Sequence, residues 1–327
     1  MLYHSVDIGS LHLDGNLFLA PIAGYSDRAF RSLCVDCGAS FCTTEMVSAE
    51  ALTRNNLKTR ELMKRAPNET KYAVQIFGGN ADVMSRAAKI VLEQTDCDCI
   101  DINGGCPVPK IIKSGAGSCL TRDPELLYSI VKAVVDSVEG KVPVTIKIRS
   151  GWDSTHLTWK ENADAAIKAG ASAITLHART RAQGYAGKAD WNIQKELVDF
   201  VDGRIPVFGS GDAFTPETAE QMLKETGVDA VMFARGAMGD PFLFTRTKKY
   251  LTEGSYEKET PKERLLAGFK ELEINVADKG ERPACLLMRK KFCAYCSGLK
   301  GSSEFRKKIV EASSVEDYRN IFYNILI

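Results

Sequence analysis

The sequence predicts an α/β fold, a (β/α)8 TIM barrel followed by a small C-terminal helical domain. Eight short apolar segments recur between residues 17 and 233 of the 327-residue chain. Each segment is apolar almost throughout, which is typical of strands buried on both faces of a parallel sheet. Helical patterns separate the segments, and eight strands in roughly 220 residues favour a closed barrel over an open doubly wound sheet.

The predicted strands follow one another along the barrel part of the chain. They are Leu17–Ala20, Ser40–Thr43, Tyr72–Phe77, Cys99–Ile102, Val144–Ile148, Ala173–Leu176, Pro206–Phe208 and Ala230–Phe233. Two intervening helices have clear start signals, since Asp123 and Thr215 each precede a proline that suits the first helical position. No Gly-x-Gly-x-x-Gly motif follows the first strand, which argues against an open dinucleotide-binding sheet.

The sequence pattern changes after Asp240 and Pro241. The final part of the chain shows helical patterns and no convincing strand, so we predict a catalytic barrel over residues 1–245 and a helical domain over residues 246–327. The formal net charge is only +1. Any nucleic-acid partner must therefore be held by a local basic patch rather than by bulk charge.

The N-terminus and the cysteines indicate the compartment. The N-terminal MLYHSVDIGS lacks the basic and apolar regions of a signal peptide, and no apolar run approaches the roughly 20 residues of a membrane span. We expect a cytoplasmic protein with reduced thiols and no membrane partner. Two Cys-x-x-Cys pairs, Cys34/Cys37 and Cys293/Cys296, lie in helical patterns, so we expect them to pack in the core and to bind no metal.

Glycine-rich loops are predicted after the seventh and eighth strands. The first contains Ser210, Gly211 and Asp212, and the second contains Ala234 and Arg235. Barrels bind phosphate at these two loops because backbone N–H groups can converge there. Arg235 would add a bidentate donor. The two loops together predict a phosphate site, although either alone would indicate only a tight turn.

Several polar side chains lie in or directly after apolar strands. Lys147 needs an anionic partner, which a ligand or a barrel carboxylate could supply. Gln75 is a buried amide that must also find partners, and His177 ends the sixth strand. A lone histidine is more often structural than catalytic, but a position at a strand end favours function. Asn103 and Arg149 occupy similar positions.

The stretch DINGGCPVPKIIKSGAG, residues 101–117, delivers Cys106 into a stiff loop at the end of the fourth strand. Packing, metal binding and reaction are the three alternatives for this thiol. Its place at a barrel strand's end favours reaction.

These motifs resemble, in order, those of the tRNA-dihydrouridine synthase family, with the bacterial B-type branch the most similar. They are APIAGYSDRAFR (20–31), QIFGGN (75–80), DINGGCPVPKIIKSGAGSCL (101–120), IKIRSGW (146–152), LHARTRAQGYAGKADW (176–191), GSGDAFTPE (209–217) and ARGAMGDPF (234–242). The segment 289–309, RKKFCAYCSGLKGSSEFRKKI, resembles that family's basic helical RNA-binding end. Gly104, Ser210 and Ala234 stand where methionine, asparagine and glycine are usual in the family.

The resemblance implies an FMN-dependent enzyme that reduces uridines in tRNA to 5,6-dihydrouridine with NADPH or NADH. Reduced FMN would supply a hydride to uracil C6, and Cys106 would donate a proton to C5. The resemblance also implies a set of cofactor contacts. These are the backbone of Pro21, Ile22 and Ala23 along the isoalloxazine, Gln75 and Lys147 at its polar edge with His177 beside it, and Ser210, Gly211, Asp212, Ala234 and Arg235 at the phosphate.

The resemblance further implies tRNA as the partner of a protein that we expect to be a monomer. Between Arg282 and Lys308 eight lysines and arginines face one acidic residue, Glu304. A solvated helix face is the ordinary explanation of such a run of cations. However, this segment has almost no acidic residues although the net charge of the whole chain is only +1, and this local excess of positive charge favours RNA binding. The expected tRNA contacts are Asn103, Arg149, Arg179, Arg181, Arg289, Lys290, Lys291 and Arg306.

Three alternatives remain open at this point. An FMN barrel oxidoreductase acting on a free pyrimidine, similar to dihydroorotate dehydrogenase, shares the barrel and the loop cysteine but gives the basic C-terminus no role. A non-catalytic RNA-binding module leaves Cys106, Lys147, His177 and Arg235 without a purpose. A phosphate-handling lyase or isomerase needs an acid–base pair at strand ends that the sequence does not show.

Overall fold

The computed structural model describes residues 1–327, and its centre is a closed barrel of eight parallel strands. Strands 1 to 8 are Leu17–Leu19, Phe41–Thr43, Tyr72–Phe77, Cys99–Gly104, Val144–Arg149, Ala173–His177, Val207–Ser210 and Ala230–Phe233. Each strand pairs with the next along the chain, and strand 8 pairs with strand 1 through Val231 and Leu17. The predicted TIM barrel is confirmed, and the eight strands lie where the apolar segments placed them.

Ten helices surround the barrel. They are α1 (Arg28–Asp36), α2 (Ala49–Thr53), α3 (Leu57–Glu61), α4 (Ala81–Gln94), α5 (Pro109–Lys113), α6 (Pro124–Val138), α7 (Trp159–Lys168), α8 (Trp191–Val201), α9 (Pro216–Thr226) and α10 (Leu243–Glu253). The two predicted start signals are confirmed, because the side chains of Asp123 and Thr215 accept from backbone N–H groups of α6 and α9. Short 3-10 segments lie at Gly117–Arg122 and Arg235–Ala237.

An N-terminal hairpin, which the sequence pattern did not indicate, contributes to the barrel interior. Its strands Val6–Ile8 and Leu11–Leu13 pair antiparallel and alternate between buried and exposed residues. The buried residues share an apolar cluster with side chains from the barrel strands, including Phe18 and Phe208, whose rings meet edge to face with centroids 5.0 Å apart. The hairpin's strands have only three residues each, two of them buried, and are too short to stand out from a loop in the sequence.

Four further helices form the C-terminal domain. They are α11 (Pro261–Lys279), α12 (Glu281–Tyr295), α13 (Ser302–Ile309) and α14 (Val315–Leu326). The boundary predicted at residue 245 falls inside α10, whose Leu243 and Phe244 belong to the barrel core. Helix α10 therefore packs with the barrel, and the segment 254–260 links it to α11. No helix in the structure is both long enough and apolar enough to span a bilayer.

A buried charge cluster joins the helical domain to the barrel. Lys291 of α12 has no exposed side-chain surface and forms ion pairs with Glu271 of α11 and with Asp27, at 2.9 Å, which caps α1. The Tyr295 hydroxyl donates to Glu271 at 2.8 Å, and Leu33 of α1 packs in the core of the helical domain. The predicted RNA contact of Lys291 is therefore wrong, because its ammonium is enclosed by carboxylates at the domain junction.

Because of this cluster, we expect that replacing Lys291 alone greatly lowers the stability of the protein. Lys291→Met should lower the free energy of unfolding by about 3–5 kcal/mol, because Glu271 is then left as a buried charge without a cation beside it. The double variant Lys291→Met/Glu271→Leu should recover much of that loss. Urea denaturation measures both, with Lys300→Met, at an exposed lysine of the same domain, as the control. A single variant as stable as the parent would contradict this account of the junction.

Candidate functional site

The carboxyl ends of strands 1, 5, 6, 7 and 8 surround one cleft. Most of the cofactor contacts expected from the sequence line it, namely Pro21, Lys147, His177, Ser210, Gly211, Asp212, Ala234 and Arg235. Ile22 and Ala23 follow Pro21 along the same loop. Parallel strands in a closed barrel all end on one side, so side chains far apart in the chain meet here.

The loops after strands 7 and 8 leave backbone donors free. The N–H groups of Gly211, Asp212 and Ala234 donate to no other group of the protein. Gly211 has a φ of 112°, and a Cβ there would lie 2.9 Å from the Cβ of Ala189 and 3.0 Å from His177 Cδ2. Only glycine allows the chain to pass so close to its neighbours at this angle. Free N–H groups beside a guanidinium form a ready site for an anion.

The side chain of Asp212 orders these loops. Both carboxylate oxygens accept from Arg179 at 2.8 Å, and one accepts from the Ala189 N–H at 2.7 Å. Burial would raise the pKa of Asp212, but the bonds from Ala189 and Arg179 outweigh burial and lower it. Arg179 is 1% exposed, so the predicted RNA contact of Arg179 is wrong, because the side chain is enclosed by the loop that it supports.

Lys147 extends toward the cleft without a protein partner. Its ammonium forms no hydrogen bond and no ion pair, although Lys147 lies in the barrel wall opposite Asn103 of the adjacent strand. Burial, and then the charge of Arg149, lower the pKa of Lys147 to about 8. A cation in this position is suited to an electron-rich group bound in the cleft.

His177 is held neutral beside the same cleft. Burial lowers the pKa of His177 strongly, and the charges of Lys147, Arg149 and Arg179 lower it further. Arg179 Nη1 lies 3.3 Å from His177 Nε2. Because arginine can only donate, Nε2 accepts and the ring proton lies on Nδ1.

A polar network beneath the cleft includes a carboxylate that sequence reasoning missed. Asp101 is buried and accepts from Gln75 Nε2 and from Thr145 Oγ1, both at 2.6 Å. Gln75 Oε1 in turn accepts from Asn103 Nδ2 at 2.8 Å. Gln75 has no exposed surface, so in this structure it supports Asn103 and Asp101 and does not line the cleft. The spacing of Asp101 and Asn103 on strand 4 could have indicated the role of Asp101, since residues two apart on a strand face the same side, here the barrel interior.

The loop after strand 4 holds Cys106 from both sides. The Cys106 N–H donates to Asn103 Oδ1 at 2.9 Å, and the Cys106 carbonyl accepts from the Ser118 N–H at 3.0 Å. A Cβ on Gly117, where φ is 62°, would lie 2.7 Å from the Cys106 carbonyl oxygen. The half-buried thiol has a pKa raised by burial, against smaller opposing effects from the Val108 N–H and Arg149. The thiol is therefore protonated at neutral pH.

Arg149 also fixes this loop from the neighbouring strand. Its Nε donates to the Gly105 carbonyl, and its Nη1 donates to the carbonyls of Thr180 and Gly184, all at 2.9 Å. The side chain thereby connects the loop of Cys106 with the loop after strand 6. In the latter, Tyr185 is 60% exposed and lines the cleft, with the Arg235 guanidinium 4.8 Å from its ring centroid. Tyr185 lies within the motif LHARTRAQGYAGKADW, but the sequence alone assigned it no role.

The remaining cations expected to contact RNA lie elsewhere on the surface. In the helical domain Arg306 is exposed, Lys290 is exposed and donates to the Gly24 carbonyl, and Arg289 donates to the Ala312 carbonyl at 2.9 Å. Arg181, after strand 6, is half-buried. The structure contains no group of three or more His, Cys, Asp or Glu side chains arranged to hold a metal ion.

Comparison with known proteins gives relatives along nearly the whole chain. The family model described as dihydrouridine synthase (Dus) matches residues 18–324. A probable tRNA-dihydrouridine synthase of Treponema pallidum is 52% identical over 322 residues, covering 97% of this chain and 95% of that protein. The tRNA-dihydrouridine synthase B of Pseudomonas aeruginosa is 37% identical over 305 residues, covering 92% of this chain and 90% of that protein.

Solved structures share the fold at low identity. A histamine dehydrogenase from Rhizobium sp. 4-9 has a TM-score of 0.59 at 15% identity, over 77% of this chain and 48% of that one. An amine oxidase acting on 6-hydroxypseudooxynicotine from Pseudomonas geniculata N1 has a TM-score of 0.57 at 15% identity, over 81% of this chain and 52% of that one. This chain thus spans about half of each, and the likeness shows the barrel alone. The family is shown by the sequence matches: this chain belongs to the dihydrouridine synthase family.

Proposed function

We propose that this protein is a tRNA-dihydrouridine synthase that reduces the C5–C6 double bond of uridines in tRNA, with FMN as its cofactor and NADPH or NADH as the reductant. The observation that carries the proposal is the unpartnered ammonium of Lys147, in one cleft with the free N–H groups after strands 7 and 8. The family membership and the names of the relatives support the same activity.

The residues of the cleft fit a flavin mononucleotide. The loops after strands 7 and 8, with Arg235, suit the phosphate of the ribityl chain, because they offer unpaired backbone donors beside a guanidinium. Lys147 would bind the electron-rich pyrimidine edge of the ring system, and Pro21 would flank its face. When bound and reduced, FMN supplies a hydride to uracil C6.

Cys106 is suited to donate the proton that completes the reduction. The new C–H bond at uracil C5 forms as the S–H bond of Cys106 breaks, and a protonated thiol in a fixed loop can serve as this general acid. The raised pKa of Cys106 keeps the proton in place until the substrate arrives. Asn103, whose Oδ1 accepts from the Cys106 N–H, positions the loop that carries the thiol.

Bound RNA would span the open mouth of the barrel. A uridine must leave the RNA stack to reach the cleft, which requires cations around the mouth to hold the phosphates on either side. Arg289, Lys290 and Arg306 of the helical domain provide exposed or partly exposed charge on one side. Lys291 contributes indirectly, by fixing α12 to the barrel.

The activity can be tested directly. We expect the purified protein to be yellow, to be bleached by NADPH without oxygen, and to form dihydrouridine in an unmodified tRNA transcript, detected by nucleoside mass spectrometry. A colourless protein that FMN cannot reconstitute would overturn the proposal. Reduction of uracil or oxidation of dihydroorotate, with no reaction on the transcript, would support the free-pyrimidine alternative.

Replacing Cys106 tests its proposed role as the general acid. Cys106→Ala should retain FMN and its reduction by NADPH, and should reduce tRNA roughly 10²–10⁴-fold more slowly, because general acid catalysis is lost. Cys119→Ala, at another half-buried cysteine of the same segment, is the matched control. If Cys106→Ala reduced tRNA at the parent rate, Cys106 would not be the proton donor.

The pKa of Lys147 predicts a pH dependence of stability. In the cofactor-free protein the folded-state pKa is about 8, below the unfolded value near 10.4. Between these values the unfolded chain binds more protons, so stability rises with pH. From pH 7.5 to 9 the free energy of unfolding should rise by on the order of 1 kcal/mol more in the parent than in Lys147→Met, measured by urea denaturation. An identical pH dependence in both proteins would show that Lys147 titrates normally.

A further inference from the structure

Three consecutive loops bring an indole and two guanidinium groups together at the mouth of the barrel. Trp152 lies in the hairpin Gly151–Asp153 and His156–Leu157 that follows strand 5. Arg122 ends the 3-10 segment after strand 4, and Arg181 follows strand 6. The guanidinium carbons of Arg122 and Arg181 lie 4.8 Å and 4.6 Å from the centroid of the Trp152 ring. We refer to these three residues as the tryptophan patch.

Backbone hydrogen bonds hold the tryptophan patch in place. The Arg181 N–H donates to the Gly151 carbonyl at 2.9 Å, and the Ala182 N–H donates to the Trp152 carbonyl at 2.8 Å. The loop after strand 6 is thus joined to the hairpin next to the indole. Both guanidinium groups lie over the indole, so a base can stack on the ring only where an arginine side chain moves aside.

The charges of the tryptophan patch are not neutralised within the protein. Neither Arg122 nor Arg181 forms a salt bridge or a side-chain hydrogen bond, whereas most other arginines of the chain do one or the other. The nearby carboxylate of Asp153 accepts from Thr155 and from His156 Nδ1 instead. Cation–π contacts at an exposed site contribute only about 0.5–1 kcal/mol, so stability alone is a weak reason for two unpaired arginines beside one tryptophan.

The tryptophan patch lies across the mouth of the barrel from the helical domain. That domain joins the barrel at α1, through Asp27 and Leu33, and therefore at the end of strand 1. In a closed barrel of eight strands, strand 5 is diametrically opposite strand 1. An RNA whose uridine enters the cleft and whose body rests on the helical domain must continue over the loops after strands 4, 5 and 6.

We propose that the tryptophan patch is a second RNA-binding surface, in which Arg122 and Arg181 move from the Trp152 indole to phosphates of bound tRNA and an unpaired base stacks on the ring in their place. The proposal rests on the proposed function, since it names a further contact of the same substrate. Aromatic rings and unpaired arginines are the groups that bind exposed bases of RNA loops, because every base offers a face to stack on. The patch would hold the RNA on the side of the cleft that the helical domain does not reach.

The test is the binding of an unmodified tRNA transcript to the FMN-loaded, full-length protein, measured by fluorescence anisotropy over a range of salt concentrations. Trp152→Leu should raise the Kd roughly tenfold or more, whereas Trp152→Tyr, which keeps an aromatic face, should stay near the parent value. Arg122→Gln/Arg181→Gln should weaken binding and lower the slope of log Kd against log salt by about 1.5, because two phosphate contacts are lost.

The controls separate a lost contact from a damaged fold. Lys89→Ala/Lys195→Ala removes the same charge from exposed positions on α4 and α8 and should leave the Kd unchanged. The thermal unfolding midpoint and the flavin content show whether each variant is folded. If Trp152→Leu and Arg122→Gln/Arg181→Gln both bind tRNA as tightly as the parent protein does, the proposal for the tryptophan patch is overturned, and the proposed function is not. A parent protein that does not bind tRNA at all would overturn the proposed function with it.

Discussion

The pairing of strand 8 with strand 1 is the constraint on which the site depends. It closes the sheet, so the carboxyl ends of all eight strands lie around one opening. Arg235, which follows strand 8, thereby comes to face the loop of Pro21 after strand 1, although more than 200 positions separate them in the chain. In an open sheet these two loops would lie at opposite edges. Closure therefore creates the cleft, and the residues around it determine what the cleft can bind.

The second determinant is the excess of positive charge around the cleft. Arg149, Arg179 and Arg235 each contact carbonyl or carboxylate oxygens of neighbouring loops, so these cations are fixed in place. Burial, reinforced by these charges and that of Lys147, keeps His177 neutral, and burial together with the charge of Arg149 lowers the pKa of Lys147. Lys147 alone has no partner within the protein. A site of this kind favours an anionic or electron-rich ligand, which agrees with a flavin phosphate and the pyrimidine edge of a flavin.

The barrel could be predicted from the sequence because buried parallel strands are apolar almost throughout. The loops that follow the carboxyl ends of such strands must all lie at the same end of the barrel. Strand 4 and its loop show this, since the position of Cys106 followed from the end of an apolar run. What the sequence could not provide was the partner of each polar side chain. Nothing in the sequence distinguishes Lys291 and Arg179 from exposed cations. Only the packing of α12 and of the loop after strand 6 shows that both side chains are buried.

Two further differences between the predicted and the observed structure also arise from contacts that the sequence does not show. Gln75 was expected to face a cofactor, but its amide is bonded to Asp101 and Asn103, a pairing that depends on the register between strands 3 and 4. The end of the barrel domain was placed at residue 245 because the sequence pattern changes after Asp240 and Pro241. Its Leu243 and Phe244 belong to the barrel only because α10 covers strand 8 in three dimensions.

The most direct test of the central claim is a crystal structure of the protein with FMN. We expect the phosphate to contact the backbone N–H groups of Gly211, Asp212 and Ala234, with Arg235 beside it. We also expect Lys147 to contact the pyrimidine edge of the ring system, which would lie over the loop of Pro21. Electron density for FMN outside this cleft, or a phosphate bound by other loops, would contradict the assignment of the site.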